Sequence, residues 1–164
     1  MKPLDYRPGV GVMLLNSAQR VFVGQRLDSS AEAWQMPQGG IDEGEDPYTA
    51  AIRELEEETG VAPHLVERIA ETDNWLTYDL PDDLIGKLWG GKYRGQRQKW
   101  YALRFLGTDA DVRIETAHPE FCAWQWATLD QLADMIVPFK RALYVDVVSE
   151  LQPRILAITG KPLR

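Results

Sequence analysis

The sequence predicts one α/β domain, a sandwich of helices on a mixed sheet. Three observations carry this. Short alternating apolar runs occur both before and after a single strongly capped helix. Two further helical patterns close the chain after the last strand. No repeat, low-complexity tract or linker divides the 164 residues, so one domain spans 1–164.

The elements follow in order. Val10, Val12 and Leu14 alternate within residues 9–16 and mark a first strand. Asn16, Ser17, Ala18 and Gln19 read as a turn, and residues 20–26 as the returning strand. Residues 28–33 form a polar loop, and residues 34–40 lead into a glycine-rich acidic loop. Asp46 before Pro47 is a helix start, a capping carboxylate ahead of the residue that tolerates the first helical position. Gly60 is the matching stop. Residues 65–74 and 75–80 read as extended, 81–91 as a loop, and 98–106 as a long strand with Tyr101, Leu103 and Phe105 on one side. In residues 121–127 Cys122, Trp124 and Trp126 alternate. Thr128 and Gln131 form a capping box for a short helix through Ile136. Phe139, Leu143, Val147 and Leu151 line one stripe of a last helix closed near Pro153, and residues 161–164 read as a frayed tail.

Composition narrows the function. A single cysteine, Cys122, forms no internal disulfide, and the apolar stretch 10–15 is too short for a signal core or a membrane span. The expectation is a cytoplasmic protein with no membrane partner. Two histidines, His64 and His118, make a zinc site improbable. A net charge of −7 argues against a broad basic surface for nucleic acid, and DNA is not expected as a partner. The charge is unevenly spread, however. Residues 84–108 hold no acid, but carry Lys87, Lys92, Arg94, Arg97, Lys99 and Arg104. An acidic face and a basic segment together suit a metal-bound polyphosphate.

The acidic face lies on the capped helix. At about 100° per residue, Glu54, Glu57 and Glu58 share one face, while Leu55, Ile52 and Thr59 turn towards a core and Glu56 turns away. Two carboxylates about 5 Å apart repel by roughly 3 kcal/mol at an effective dielectric near 20. Arg53 reaches Glu57 across one turn, but one arginine does not balance three acids. A divalent cation does, and an all-oxygen ligand set suits Mg²⁺ or Mn²⁺.

These residues carry a resemblance. Gly39, Glu45, Arg53, Glu54, Leu55, Glu57, Glu58, Gly60 and Val61 complete, without departure, the 23-residue box of the Nudix hydrolases. Outside the box, residues 6–8, 34–41, 74–81, 95–101, 119–121 and 137–141 resemble the bacterial RNA pyrophosphohydrolases, a branch shared with asymmetric dinucleoside tetraphosphate hydrolases. Tyr78, seventeen residues past Val61, fits that branch, where ADP-ribose hydrolases have a proline instead.

The resemblance implies a Nudix-type α/β/α sandwich that hydrolyses phosphoanhydrides with Mg²⁺, Mn²⁺ being a substitute. It implies that Glu54, Glu57, Glu58 and Glu120 are catalytic, and that these four and the Gly39 carbonyl hold metal. Glu120 would swing in from its own loop as a further ligand or as the base. Glu45 and Arg53 would fix loop to helix. Arg26, Gln38, Gln96 and Lys99 would meet the phosphate chain, Tyr78 a base, and Arg7, Val137, Phe139 and Lys140 the first nucleotides. The expected substrate is the 5′ end of tri- or diphosphorylated RNA. Diadenosine tetraphosphate is the alternative substrate, for which the acidic total leaves room by weakening the case for tight binding to long RNA. A nucleotide-binding module without turnover is a third reading, disfavoured because no box carboxylate is missing.

Overall fold

In the computed structural model, which describes residues 4–27, 32–161 and 163, eight strands form one mixed sheet. Strand β1 (Asp5–Leu15) is followed by β2 (Val21–Arg26), β3 (Trp34–Gln35) and β4 (Gln38–Gly40). Helix α1 (Pro47–Thr59) leads to β5 (Val66–Glu71), β6 (Leu76–Asp79), β7 (Tyr93–Phe105) and β8 (Phe121–Ala127). Two helices finish the chain, the short α2 (Leu132–Met135) and α3 (Arg141–Thr159). The main path runs β3-β2-β1-β7-β5, with β4 on β1, β6 on β7 and β8 on β2. Among the described residues only the pairing of β1 with β7 is parallel; the other six are antiparallel. Among the described residues no helix is long and apolar enough to cross a membrane.

Alternation along β1 and β7 feeds two cores, one on each face of the sheet. Val10, Val12, Leu14, Tyr101 and Leu103 pack with Ala50, Ala51 and Leu55 of α1. Met13, Leu15, Trp100 and Ala102 pack with Leu143, Tyr144, Val147, Leu151 and Ile155 of α3. Helices on both faces make the α/β/α sandwich that the sequence predicts.

Four boundaries differ from expectation. β1 starts at Asp5, because parallel pairing with β7 extends past the apolar run to Tyr6 and Arg7. β7 starts at Tyr93 and not at residue 98. Its first part is masked in sequence by Arg94, Gly95 and Arg97, yet pairs with β1 on one side and β6 on the other. The last helix passes through Pro153 and ends only at Thr159, capped by Gly160 at φ 68°. Leu151 and Ile155, both fully buried on either side of the proline, hold the helix together across the missing donor. Phe139 lies in a 3-10 turn (Pro138–Lys140) before that helix and is only half-buried, outside the Leu143–Val147–Leu151 stripe. Residues 28–31 of the expected polar loop, and 162 and 164 of the expected tail, lie outside the described residues.

One close approach in the sheet matters for the site. A Cβ on Gly11 would come within 2.3 Å of the Trp100 indole, so the glycine lets that ring lie against β1. Gly11→Ala is expected to cost about 1–3 kcal/mol by overpacking. Urea denaturation reads this, and an unchanged midpoint with an unchanged slope would rule out the contact.

Candidate active site

Helix α1 and the loop before it are joined by one arginine. Asp46 caps the helix by accepting from the Thr49 backbone N–H at 3.2 Å, and the Gly60 N–H closes it on the Glu56 carbonyl at 2.9 Å. Arg53 donates through Nε and Nη2 to both oxygens of Glu45, at 2.9 and 2.8 Å, and through Nη2 to the Gly40 carbonyl at 3.0 Å. Its Nη1 reaches Glu54 at 2.9 Å and Glu57 at 3.3 Å. The paired guanidinium, helped by the Asp42 backbone N–H, holds the Glu45 carboxyl down at about 2.

Gly39 is a glycine for a steric reason. A Cβ there would stand 2.0 Å from the Glu54 carboxyl carbon, so the carboxylate lies directly against loop backbone. Beside it Glu58 is only 3% exposed, and among the described residues its Oε2 has no hydrogen-bond partner. Burial pushes the Glu58 carboxyl well up, and the charges of Glu54 and Glu120 push it further. Burial also raises Glu54, opposed mainly by Arg53. An orphaned buried oxygen beside a second carboxylate fits a divalent cation, whose charge would answer both. Among the described residues no three acidic, histidine or cysteine side chains are already gathered into a ligand shell. Glu57 turns its 58% exposed side chain to Arg53, and Glu120 stands on an exposed loop, so cation binding would have to draw them in.

A cleft of about 290 Å³ opens in front of Glu54 and Glu58. Of the residues named from sequence, Arg7, Arg26, Gln38, Gly39, Tyr78, Gln96, Glu120, Phe139 and Lys140 all line it. The Tyr78 and Phe139 ring centres are 6.0 Å apart, and the Lys140 ammonium sits 4.9 Å from the Tyr78 ring centre. Tyr78 is 5% exposed and backs Phe139 more than it faces solvent. Burial raises its phenol. Glu57 lines a smaller depression of about 200 Å³, which shares Glu54, Glu58 and Glu120 with the cleft and adds Thr116 and His118.

Val137, expected at the first nucleotides, does not line the cleft, and neither does Lys99. Lys99 projects from the face of β7 opposite Gln96 and Gln98, and donates to the Thr72 carbonyl at 2.5 Å, with Glu71 at 3.8 Å. Basic composition identified the strand without its face, and the phosphate role expected of Lys99 is withdrawn. Five cleft residues were not among the site residues expected from sequence: Gln35, Gly40, Leu80, Leu88 and Trp89. Trp89 stands at φ 52° just before Gly90 and Gly91, with the Arg7 guanidinium 5.3 Å from its ring centre. A loop tryptophan beside Gly90 and Gly91 was the only available signal.

A model of the NUDIX domain matches residues 5–147. The chain belongs to the Nudix family. Among its Nudix relatives, one from Sphingopyxis alaskensis named RNA pyrophosphohydrolase is 62% identical over 150 residues, covering 92% of this chain and 95% of the relative. One of the same name from Rhodospirillum rubrum is 61% identical over 148 residues, covering 90% and 88%. The crystal structure of a C. elegans Ap4A hydrolase binary complex matches with a TM-score of 0.65 at 21% identity, over 94% of this chain and 98% of that one. At that identity the likeness shows the Nudix fold.

Two predictions follow from these charges. Glu45→Gln is expected to cost about 1–2 kcal/mol at neutral pH, the worth of a partly exposed charge-assisted pair. The folded carboxyl titrates below the unfolded one, so this difference is fully present above about pH 4.5 and shrinks as the pH falls towards 2. Melts of both proteins between pH 7 and 3 measure it, and a constant gap refutes the pair as its source. Glu58→Gln removes a buried, repelled charge, so in metal-free buffer it should melt a few degrees above wild type, for a gain of about 1 kcal/mol. Adding Mg²⁺ should then raise the wild-type midpoint and leave the variant's nearly still. Equal Mg²⁺ shifts for both proteins would remove Glu58 from the cation site.

Proposed function

We propose that this Nudix protein hydrolyses the 5′ end of tri- or diphosphorylated RNA, releasing pyrophosphate or phosphate and leaving a 5′-monophosphate, with Mg²⁺ as its cation and the cytoplasm as its place of action. One observation carries the reading. At Gly39 a wall of carboxylates meets a wall of donors and aromatic rings inside a single cleft. A polyphosphate attached to a base needs both. Relatives named RNA pyrophosphohydrolase, at 62% and 61% identity, support RNA as the polyphosphate's carrier.

The residues divide the work. Glu54, Glu57, Glu58 and Glu120, with the Gly39 carbonyl, would hold the cation. When bound, it supplies neutralisation of the phosphate charge and a lowered pKa for the attacking water. Arg26, Gln38 and Gln96 donate to phosphate oxygens, and Arg7 and Lys140 bring cations to the first nucleotides. Phe139 offers the accessible ring for a base, with Tyr78 behind it. Glu120, on a loop free of regular structure, would take a proton from the water once drawn to the site.

Diadenosine tetraphosphate, cut to ATP and AMP, would use the same phosphate donors but has no chain beyond its second adenosine. Arg7→Ala and Lys140→Met therefore separate the substrates, the methionine keeping the buried lysine stem. If RNA is the substrate, kcat/KM on triphosphorylated RNA falls about ten-fold or more, with much less change on the dinucleotide, and each lost contact flattens the log–log salt slope by about 0.7. Equal small losses on both, with the dinucleotide the better wild-type substrate, transfer the assignment to it. No turnover of either by wild type with Mg²⁺ rejects the enzyme reading.

A further inference from the structure

Strand β7 carries Gln96, Gln98 and Trp100 at alternate positions, so all three project from the cleft-side face. Gln98 and Trp100 are fully buried and Gln96 is 1% exposed. Their polar atoms form a chain that ends at the cleft. Trp100 Nε1 donates to Gln98 Oε1 at 3.0 Å. Gln98 Nε2 donates to Gln96 Oε1 at 2.6 Å and to Gln38 Oε1 at 2.7 Å.

The first link decides the others. An indole N–H only donates, so Gln98 must turn its oxygen to Trp100. Both protons on its Nε2 then point at glutamines, and each glutamine must answer with Oε1. Gln38 and Gln96 are left with Nε2 groups that meet no side-chain or carbonyl acceptor among the described residues, and both line the cleft beside Gly39 and Glu54. A free glutamine can show oxygen or nitrogen to a ligand. These two show nitrogen. The indole that starts the chain is itself fixed, between Gly11 and an edge-on Tyr144 ring 5.9 Å away.

We infer that Trp100 and Gln98 are positioning residues whose one-way hydrogen-bond chain fixes Gln38 and Gln96 as donors to the substrate's phosphate oxygens. The inference rests on the polyphosphate reading of the cleft. It assigns a task to two buried residues that touch no substrate. Because the donors are oriented on folding, binding an anion needs no reorientation of either amide.

Gln98→Glu and Gln98→Met test it together. Glutamate accepts from Trp100 but does not donate when ionised, so Gln38 and Gln96 turn their nitrogens inward and face the cleft with oxygen. Methionine deletes the chain without reversing it. The probes are tripolyphosphate binding by calorimetry in metal-free buffer, and KM and kcat on a 5′-triphosphorylated oligoribonucleotide. Gln98→Glu is expected to weaken tripolyphosphate about ten-fold or more and to raise KM further than it lowers kcat, with a smaller loss for Gln98→Met. Equal losses in both, following their melting temperatures, overturn the inference in favour of packing. Should the glutamate variant not fold, wild type decides. The side-chain amide resonances of Gln38 and Gln96 should move on adding tripolyphosphate while the Trp100 indole stays, and unmoved glutamine amides overturn the inference. A wild type that binds tripolyphosphate through these amides but leaves triphosphorylated RNA uncut keeps the chain and rejects the RNA substrate.

Discussion

Two carboxylates held side by side, one with a buried oxygen that meets no partner among the described residues, set the terms for the whole cleft. Glu54 and Glu58 lie one turn apart on α1, and neither burial nor mutual repulsion favours that placement. Apolar neighbours on the same helix offset it: Ala50, Ala51 and Leu55 are fully or almost fully buried and pack into the core with β1 and β7. A buried leucine alone contributes roughly 1.5–3 kcal/mol. Arg53 then ties the helix to its loop through Glu45 and Gly40, and Gly39 gives Glu54 backbone to lie against. Sequence spacing, capping and packing thus serve one strained pair.

The second wall of the cleft comes from strand register. Across β1, Gly11 stands opposite Gln38 of β4 on one side and Trp100 of β7 on the other, and Gly9 stands opposite Gln98. Two glycines on the middle strand leave an open lane, so glutamines from the flanking strands meet above it. Side chains on Gly9 or Gly11 would fill that lane; a Cβ on Gly9 would already be 2.8 Å from the Gly39 carbonyl. The same register sets Arg7 opposite Gln96, which brings the N-terminal end of the chain to the phosphate donors. Parallel pairing of β1 with β7 therefore organises the site as well as the core.

How much of this was legible in the sequence depended on whether a spacing fixed a face. On a helix it does: the placing of Glu54, Glu58 and Leu55 and the roles of Asp46 and Gly60 in capping follow from about 100° per residue and from capping chemistry. On a strand the alternation is legible but the choice of face is not. Gln96 and Lys99 were both read as phosphate contacts, though three positions apart on a strand they must project oppositely. Gln98 and Trp100 were read as strand only, since nothing local says that their polar atoms join. Trp89 was hidden for another reason: its positive φ is set by the fold around it and cannot be read from a loop's composition. Pro153 misled because burial of Leu151 and Ile155 outweighs a lost helix donor.

The two walls are also electrically linked without any ligand. Arg7 lies so close to Gly40 that a Cβ there would be 2.2 Å from its guanidinium nitrogen, and its charge pulls down the neighbouring Glu54 carboxyl that burial pushes up. It is held from the other side by the Trp89 indole, a partner that adds attraction without adding negative charge. A carboxylate in that place would have neutralised the arginine and left it a weaker partner for phosphate. An aromatic ring fixes the guanidinium and keeps its charge available. The Lys140 ammonium also lies against an aromatic ring, 4.9 Å from the Tyr78 ring centre. In a chain of net charge −7, aromatic anchoring leaves the Arg7 guanidinium with charge that an anionic substrate can use.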